Sequence, residues 1–446
     1  MAERLFGTDG VRGRAGSPPL DAHTIRRLGA ALVRALPRAS DEHRLLIGRD
    51  TRESGEWIGR ELAHGARGAG GSVTCAGIIS TPAIAFLTRE SRYDAGVVIS
   101  ASHNPFEDNG IKVFSGAGEK FTERLEREVE RAVADASWTA VGGEAPPLEE
   151  RDFTGPYLAH ARRALPDPQA LGRLRVAVDC ANGATSALAP RLLEELGFDV
   201  VPLACSPDGR NINLACGSTS PEGLAKLVVE QGCRLGIAFD GDGDRAIFVG
   251  HRGRVVDGDA IMLLTARHLQ ATGRLKNHAI VATVMSNIGL EIALRESGID
   301  LVRCPVGDKY VMEEMIRRDL SLGGEQSGHV IFSDFLFTGD GLVTALSVLQ
   351  VMAATGRELE DLASQLTSYP QILLNVRVRT KTDWREVPPV AAAITDVERR
   401  LGGNGRLLVR YSGTEPLLRI MLEGQDQNQI RAFAEQIAAE VRTHLA

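Results

Sequence analysis

Three aspartates at alternate positions follow an apolar run in Leu235-Gly236-Ile237-Ala238-Phe239-Asp240-Gly241-Asp242-Gly243-Asp244-Arg245. In an extended segment, positions i, i+2 and i+4 share a face. Carboxylates that close repel one another unless a cation lies between them, and an all-oxygen set suits Mg2+, Ca2+ or Mn2+. A solvated acidic turn is the plainer alternative, but turns seldom interleave Asp and Gly after a buried strand. An EF-hand is excluded, because its sixth and twelfth loop positions need Gly and Glu where this chain has Arg245 and His251. Gly241, Gly243 and Ala246 fit a loose dinucleotide fingerprint, but the interleaved acids would repel a pyrophosphate.

A second apolar run ends in Ser100-Ala101-Ser102-His103-Asn104-Pro105. A serine beyond the carboxyl end of a strand can act as a nucleophile or carry a covalent group; it can also simply cap a turn. No G-x-S-x-G elbow is present, which disfavours a hydrolase triad. In Gly323-Gly324-Glu325-Gln326-Ser327-Gly328-His329, the residues Glu325, Ser327 and His329 alternate. Together they could bind sugar hydroxyls, unless the segment is only a glycine-rich hairpin turn. Arg410-Tyr411-Ser412-Gly413-Thr414-Glu415-Pro416, with Arg419 beyond it, offers hydroxyls, a glycine and two arginines, which suits a phosphate nest better than a plain hairpin. No GxxxxGK[ST] sequence supports a P-loop. Phe6-Gly7-Thr8-Asp9-Gly10-Val11-Arg12-Gly13 has too many glycines for an element interior. Arg12 could reach a phosphate, as could Arg49 or Arg52, although a lone arginine is more often a surface residue.

Three segments carry the elements that must position these loops. Starting at Leu45, Leu174 and Ala279, each passes from an apolar strand through a short loop and an amphipathic helix to a glycine turn and a second strand. That is the βαβ signature, and three copies predict three related α/β domains. The polar, Gly- and Pro-bearing stretch 137–156 and the stretch 366–371 read as boundaries. After the second, strands at Ile372–Val378, Leu407–Tyr411 and Leu417–Leu422 with helices near Val390–Arg400 and after Gln427 predict a small α+β domain. The expected division is 1–150, 151–254, 255–367 and 368–446.

The chain has 446 residues, too many for one core, and an ordinary globular composition of 43% hydrophobic and 24% charged residues. A formal net charge of -7 is a poor match to broad nucleic-acid binding, so no nucleic-acid partner is expected. The six cysteines form no CxxC pair, which fits a reducing compartment better than a zinc site or disulfide scaffold. The N-terminal residues have no apolar signal core, and no run approaches the roughly 20 apolar residues of a membrane span. A soluble, cytoplasmic protein with no membrane partner is expected.

Taken together and in order, FGTDGVRG, ISASHNP, DGDGDR, GEQSGH and RYSGTEP resemble the alpha-D-phosphohexomutase superfamily along the whole chain. FGTDGVRG, ASHNPFEDNGIKVF, NINLACGST and GEQSGH point to its phosphoglucosamine branch. One departure stands out: Val306-Gly307-Asp308-Lys309-Tyr310 lies where many glucose and mannose relatives carry Val-Gly-His, so a histidine acid/base there is in doubt. An arginine is usual in the branch where this chain has Lys309, which keeps the charge without the bidentate fork.

The resemblance implies four domains meeting at a central cleft, the first three α/β with mixed sheets and the last small and α+β, contributing in chain order the phosphoserine, the metal, the sugar site and a phosphate site. It implies interconversion of α-D-glucosamine 6-phosphate and 1-phosphate through phospho-Ser102 and a 1,6-bisphosphate. One Mg2+ per subunit would be held by Asp240, Asp242, Asp244 and a phosphoserine oxygen. Arg245 and Lys112 would stabilise the transferring group, with His103 as a candidate proton shuttle. Arg12, Lys309, Glu325, Ser327 and His329 would meet the substrate. Arg410, Ser412, Gly413, Thr414 and Arg419 would hold the phosphate that is not reacting. A bisphosphorylated sugar would act as activator, and a homodimer is compatible with the resemblance. The rival readings are a phosphomannomutase or phosphoglucomutase, a non-catalytic phosphosugar-binding protein, and a metal-dependent phosphatase with a phosphoserine intermediate.

Overall fold

The computed structural model describes residues 4–7, 9–36, 42–412 and 416–446. The chain divides into two compact units, Met1–Met285 with Leu301–Ser364, and Ser286–Asp300 with Gln365–Ala446.

The first unit holds three mixed sheets. The first comprises β1 (Val11–Arg14), β2 (Arg44–Arg49), β3 (Ser72–Ile78), β4 (Ala95–Ile99) and β5 (Asp108–Ser115), in the order β1-β5-β4-β2-β3. β2 runs parallel to β3 and β4, while β5 is antiparallel to β4 and β1. The second comprises β6 (Arg175–Asp179), β7 (Asp199–Leu203), β8 (Leu235–Phe239), β9 (Ala246–Gly250) and β10 (Val255–Val256), in the order β10-β9-β8-β6-β7. Again β6 is parallel to β7 and β8, and β9 turns back antiparallel to β8. The third comprises β11 (Ala279–Thr283), β12 (Asp300–Cys304), β13 (Leu322–Gly324) and β14 (Val330–Phe332), in the order β12-β11-β13-β14, with β13 parallel to β11 and antiparallel to β14.

The three sheets use one device. In each sheet a central parallel strand ends in a loop and returns as an antiparallel neighbour. The β4–β5 loop carries Ser102, the β8–β9 loop carries Asp240, Asp242 and Asp244, and the β13–β14 loop carries Glu325, Ser327 and His329. The strands can be central because every residue of β4, β8, β9 and β11 is buried, which suits short apolar runs covered on both faces. The helices around them start at side-chain caps that satisfy otherwise orphaned N–H groups: Asp21 accepts from Thr24, Asp257 from Ala260 and Asp340 from Val343. No helix among the described residues is long and apolar enough to cross a membrane.

The second unit has a three-stranded antiparallel sheet of β15 (Gln371–Arg377), β16 (Gly405–Tyr411) and β17 (Leu417–Gly424), in the order β15-β17-β16. Alternation places Ile372, Val376, Leu418, Ile420 and Leu422 in a core with Val390, Ile394, Phe433 and Ile437 from helices Pro388–Leu401 and Gln427–His444. This is the expected α+β arrangement. The helix Ile288–Glu296 of the third repeat belongs with this unit rather than with its own strands. Its cap residue Asn287 accepts from Tyr369 N–H at 2.9 Å, and Ile288 N–H donates to the buried Glu423 carboxylate at 3.1 Å. A carboxylate at a helix N-terminus answers the free N–H groups there.

Candidate active site

Ser102 sits at φ +52°, in the left-handed region that a non-glycine residue adopts only when its surroundings hold it. Arg52 supplies much of that hold. Its guanidinium is buried and donates to the main-chain carbonyls of Ser102 at 2.9 Å, Asn104 at 2.8 Å and Asp108 at 3.0 Å, and also to that of Pro105. Its Nε pairs with Asp50 at 2.9 Å. Burial raises the Asp50 carboxyl above its ordinary pKa, and Arg52 and Ser100 work against that rise. Ser100 Oγ donates to Asp50 at 2.5 Å and accepts the Ser102 N–H at 2.9 Å. Asn213, from the NINLACGST segment, donates to the same Ser102 and Asn104 carbonyls at 2.9 and 3.1 Å. Arg52 is therefore a clasp on the serine loop, and the expectation that it could reach a phosphate is corrected: its donors are occupied.

The aspartate loop meets that serine. Ser102 Oγ donates to Asp240 Oδ2 at 2.6 Å and lies 3.3 Å from His103 Nδ1. Burial first, then Arg245 and Arg12, hold His103 below its ordinary pKa, so it is neutral at pH 7 and can accept a proton. One oxygen from each of Asp240, Asp242 and Asp244 lies within 4.8 Å of the others, and all three residues are buried. Burial, reinforced by Asp244 and Asp242, pushes the Asp240 carboxyl well above its ordinary value. Lys112, on β5, is also buried; it donates to Asp242 at 2.8 Å and Asp244 at 3.2 Å, while Thr81 Oγ1 donates to Asp242 at 2.5 Å. Burial would depress the Lys112 pKa, yet Asp242, Asp244 and Asp9 hold it well above normal, so it remains an ammonium. Gly183 is required beneath the loop: a Cβ there would lie 2.3 Å from the Gly241 carbonyl oxygen.

Lys112 does not satisfy the cluster. Asp242 Oδ1 is buried with no hydrogen-bond partner, and Asp244 Oδ1, also without one, lies 3.6 Å from His329 Nδ1 and 3.8 Å from Arg245 Nε. Orphaned carboxylate oxygens in a dry site are costly unless a cation meets them, so the residues fit a hard divalent ion. Asp244, Asp308 and His329 also bring ligand atoms within 4.8 Å of one another, but His329 Nε2 accepts the Gly339 N–H at 3.1 Å and Asp308 is paired with Lys120. The all-aspartate set is the better candidate for a metal centre.

A cavity of about 510 Å3 opens beside these groups, lined among others by Arg12, His103, Asp244, Arg245, Glu325 and His329. Glu325 takes the Gly307 N–H at 3.1 Å and the Ser327 hydroxyl at 3.3 Å. Ser327 itself faces an adjoining cavity shared with Arg245 and Glu325. Arg12 donates to the Ala101 carbonyl at 3.2 Å and pairs with Asp9. Lys309 is not brought to the main cavity; its ammonium pairs with Glu126 at 2.9 Å beside a separate one. In the second unit, Arg410 and Arg419 are directly opposed across β16 and β17, Arg410 is exposed, and Ser412 is buried at the strand end. Gly413 and Thr414 lie outside the described residues.

Sequence reasoning missed several contributors. Asp9 and Asn213 lie inside recognised segments, where their types alone gave no role. Thr81, Lys120 and the clasp formed by Arg52 come from elements distant in sequence, and no spacing marks them.

The chain matches four family descriptions in order: "Phosphoglucomutase/phosphomannomutase" alpha/beta/alpha domain I at residues 3–140, domain II at 156–253, domain III at 257–369 and the C-terminal domain at 373–440. It is 46% identical over 450 residues to a phosphoglucosamine mutase of Syntrophotalea carbinolica, covering 100% of this chain and 98% of that one. In fold it is similar to a phosphoglucomutase/phosphomannomutase family protein of Burkholderia thailandensis, with TM-score 0.81, 24% identity and coverage of 99% and 98%. It is also similar to an Aspergillus fumigatus N-acetylphosphoglucosamine mutase solved with GlcNAc-6P and magnesium, with TM-score 0.67, 18% identity and coverage of 98% and 95%. With all four domains matched and close to half its residues identical over the full length of a relative, the chain belongs to the phosphoglucosamine mutase family of the phosphohexomutases.

Proposed function

We propose that the chain interconverts α-D-glucosamine 6-phosphate and α-D-glucosamine 1-phosphate through phospho-Ser102. The observation that carries this reading is the 2.6 Å contact of Ser102 Oγ with Asp240, at the edge of three buried carboxylates and beside a polar cavity. In the first half-reaction the Oγ–P bond of phospho-Ser102 breaks as a bond forms from phosphorus to the sugar O1, giving the 1,6-bisphosphate. After the sugar reorients, its 6-phosphoryl group returns to Ser102. His103, neutral and 3.3 Å from Oγ, is placed to pass to Oγ the proton that leaves the O1 hydroxyl in the first transfer, and to take the Oγ proton, destined for O6, in the second. Arg245, on the cavity wall, and the buried ammonium of Lys112 would offset charge on the transferring group. Asp240, Asp242, Asp244 and a phosphoserine oxygen would hold Mg2+, which supplies charge neutralisation of the phosphoryl group.

Glu325 and Ser327 would bind sugar hydroxyls, with His329 and Arg12 completing the wall. Arg410 and Arg419, directly opposed across β16 and β17, would hold the phosphate that is not reacting, with Ser412 buried at the strand end. The domain roles are phosphoserine in 1–150, metal in 151–254, sugar in 255–367 and phosphate in 368–446. A bisphosphorylated sugar recharges any Ser102 that has lost its phosphate. All six cysteines are free thiols, which favours a reducing cytoplasm.

The test is a comparison of kcat/KM on glucosamine, glucose and mannose phosphates. Glucosamine phosphate should be highest, with weak activity on glucose phosphate. A preference for mannose phosphate would move the chain to the rival activity.

A further inference from the structure

Lys112 is shared among three carboxylates rather than two. Besides Asp242 and Asp244, its ammonium lies 3.1 Å from Asp9 Oδ2. Asp9 is held in turn on its far side by Lys120 and Arg12, and Lys120 continues to Asp308. Asp9 is thus an anchored anion, fixed by two cations that do not touch the aspartate loop. Lys112 meanwhile engages Oδ2 of Asp242 and of Asp244, while Asp242 Oδ1 is buried without a hydrogen-bond partner and Asp244 Oδ1 lies 3.6 Å from His329 Nδ1 and 3.8 Å from Arg245 Nε. An ammonium and a divalent ion on the same carboxylates repel each other strongly in a buried site. A cation entering the loop therefore needs Lys112 to have another partner within reach.

We propose that Asp9 is a positioning residue that sets the cation affinity of the aspartate loop, by retaining the Lys112 ammonium when the loop takes up its metal. The assignment rests on the metal reading above. Without the Asp9 charge, Lys112 falls wholly to Asp242 and Asp244 and competes with the ion. The effect runs through Lys112, which separates it from simple attraction between Asp9 and the metal.

Calorimetric titration of the dephosphorylated full chain with Mg2+ alone, repeated with Mn2+, tests this in wild type, Asp9→Asn, Lys112→Met and the double variant. Asp9→Asn should weaken binding by about tenfold or more, and Lys112→Met should tighten it. In the Lys112→Met background, Asp9→Asn should change affinity by less than about twofold. Lys112→Gln serves if the methionine variant does not fold, and Asp9→Glu should restore most of the wild-type affinity. Equal weakening by Asp9→Asn in both backgrounds overturns the proposal, as does no weakening in either. Failure of the wild type to bind either ion would instead remove the metal reading, and this assignment with it.

Discussion

Arg52 donates to the main-chain carbonyl of Ser102 at 2.9 Å from a fully buried guanidinium, so the left-handed backbone of that serine is held from beneath by a charge that never faces the cavity. The same guanidinium pairs with buried Asp50, which holds Ser100, which accepts the Ser102 N–H. Backbone strain, ion pair and hydroxyl form one unit, and the side chain of Ser102 is left free to face Asp240.

Replacing Arg52 should break that unit in two separable ways. Arg52→Leu leaves Asp50 as an unpaired buried carboxyl, a loss of roughly 3–5 kcal/mol. Arg52→Lys keeps a cation but loses the planar fork that reaches several carbonyls at once. We expect the lysine variant to fold, with a smaller loss of about 1–3 kcal/mol, and to transfer phosphoryl groups slowly. Urea denaturation and single-turnover transfer measure the two effects; a lysine variant with wild-type transfer would reduce Arg52 to a stabilising residue.

Phosphorylation should map to Ser102. Intact mass should show one added phosphoryl group on part of the population, carried by the peptide spanning 100–104. Ser102→Ala should abolish mutase activity. Ser100→Ala removes a donor to Asp50 and an acceptor for the Ser102 N–H, at a cost of about 1–3 kcal/mol, but should retain a measurable rate. Phosphate found on Ser100 would reverse the two roles.

Metal removal should act on stability as well as on rate. The aspartate loop holds a buried Asp242 Oδ1 with no hydrogen-bond partner, and an ion that binds only the folded chain stabilises it by mass action. Exhaustive chelation should abolish turnover and lower the Tm, and Mg2+ should restore both. Full activity after metal removal would sink the assignment.

The loops were legible because their chemistry is local. DGDGDR places three carboxylates within five residues of one strand end, and the three βαβ segments expose their periodicity without tertiary knowledge. What spacing could not supply is which distant residues converge. Lys112 reaches Asp242 only because β5 returns antiparallel to β4 while β9 does the same beside β8. Lys309 illustrates the converse: a cation near a substrate loop in sequence pairs instead with Glu126, on the helix Glu123–Ala134. The helix Ile288–Glu296 was legible as a helix but not as a partner of Glu423, because that contact depends on how the chain folds back after residue 364.

His160 should titrate far below the usual range. Its ring stacks on Phe86 at 4.0 Å and meets Phe335 edge-on at 5.5 Å; burial, then Arg163 and Arg89, lowers its pKa from 6.5 to about 4. Between those values the unfolded chain binds a proton that the folded chain refuses. Stability from this residue is therefore fully present above about pH 6.5 and is lost as pH falls towards 4. Denaturation of wild type and His160→Phe at several pH values should show a shallower acid slope in the variant. An NMR titration placing the His160 midpoint near 6.5 would contradict the sandwich as its cause.

Arg410 should matter equally for both ends of the sugar. In the proposed cycle the bisphosphate presents first one phosphate and then the other to Ser102. The group that holds the waiting phosphate must therefore accept the 6-phosphate in one half-reaction and the 1-phosphate in the other. Arg410 and Arg419 are opposed across β16 and β17, so losing one removes a partner from an anion that two guanidinium groups would share. A charge-assisted hydrogen bond is worth about 1.5–3 kcal/mol, which corresponds to roughly one to two orders of magnitude in kcat/KM. Arg410→Ala should impair turnover of glucosamine 6-phosphate and of glucosamine 1-phosphate by similar factors. It should also loosen the intermediate as it reorients, so that free glucosamine 1,6-bisphosphate accumulates and added bisphosphate partly restores the rate by recharging Ser102. Steady-state kinetics in both directions, with released bisphosphate followed in parallel, measures this. Impairment confined to one substrate would assign Arg410 to a single orientation and leave the second phosphate to another site.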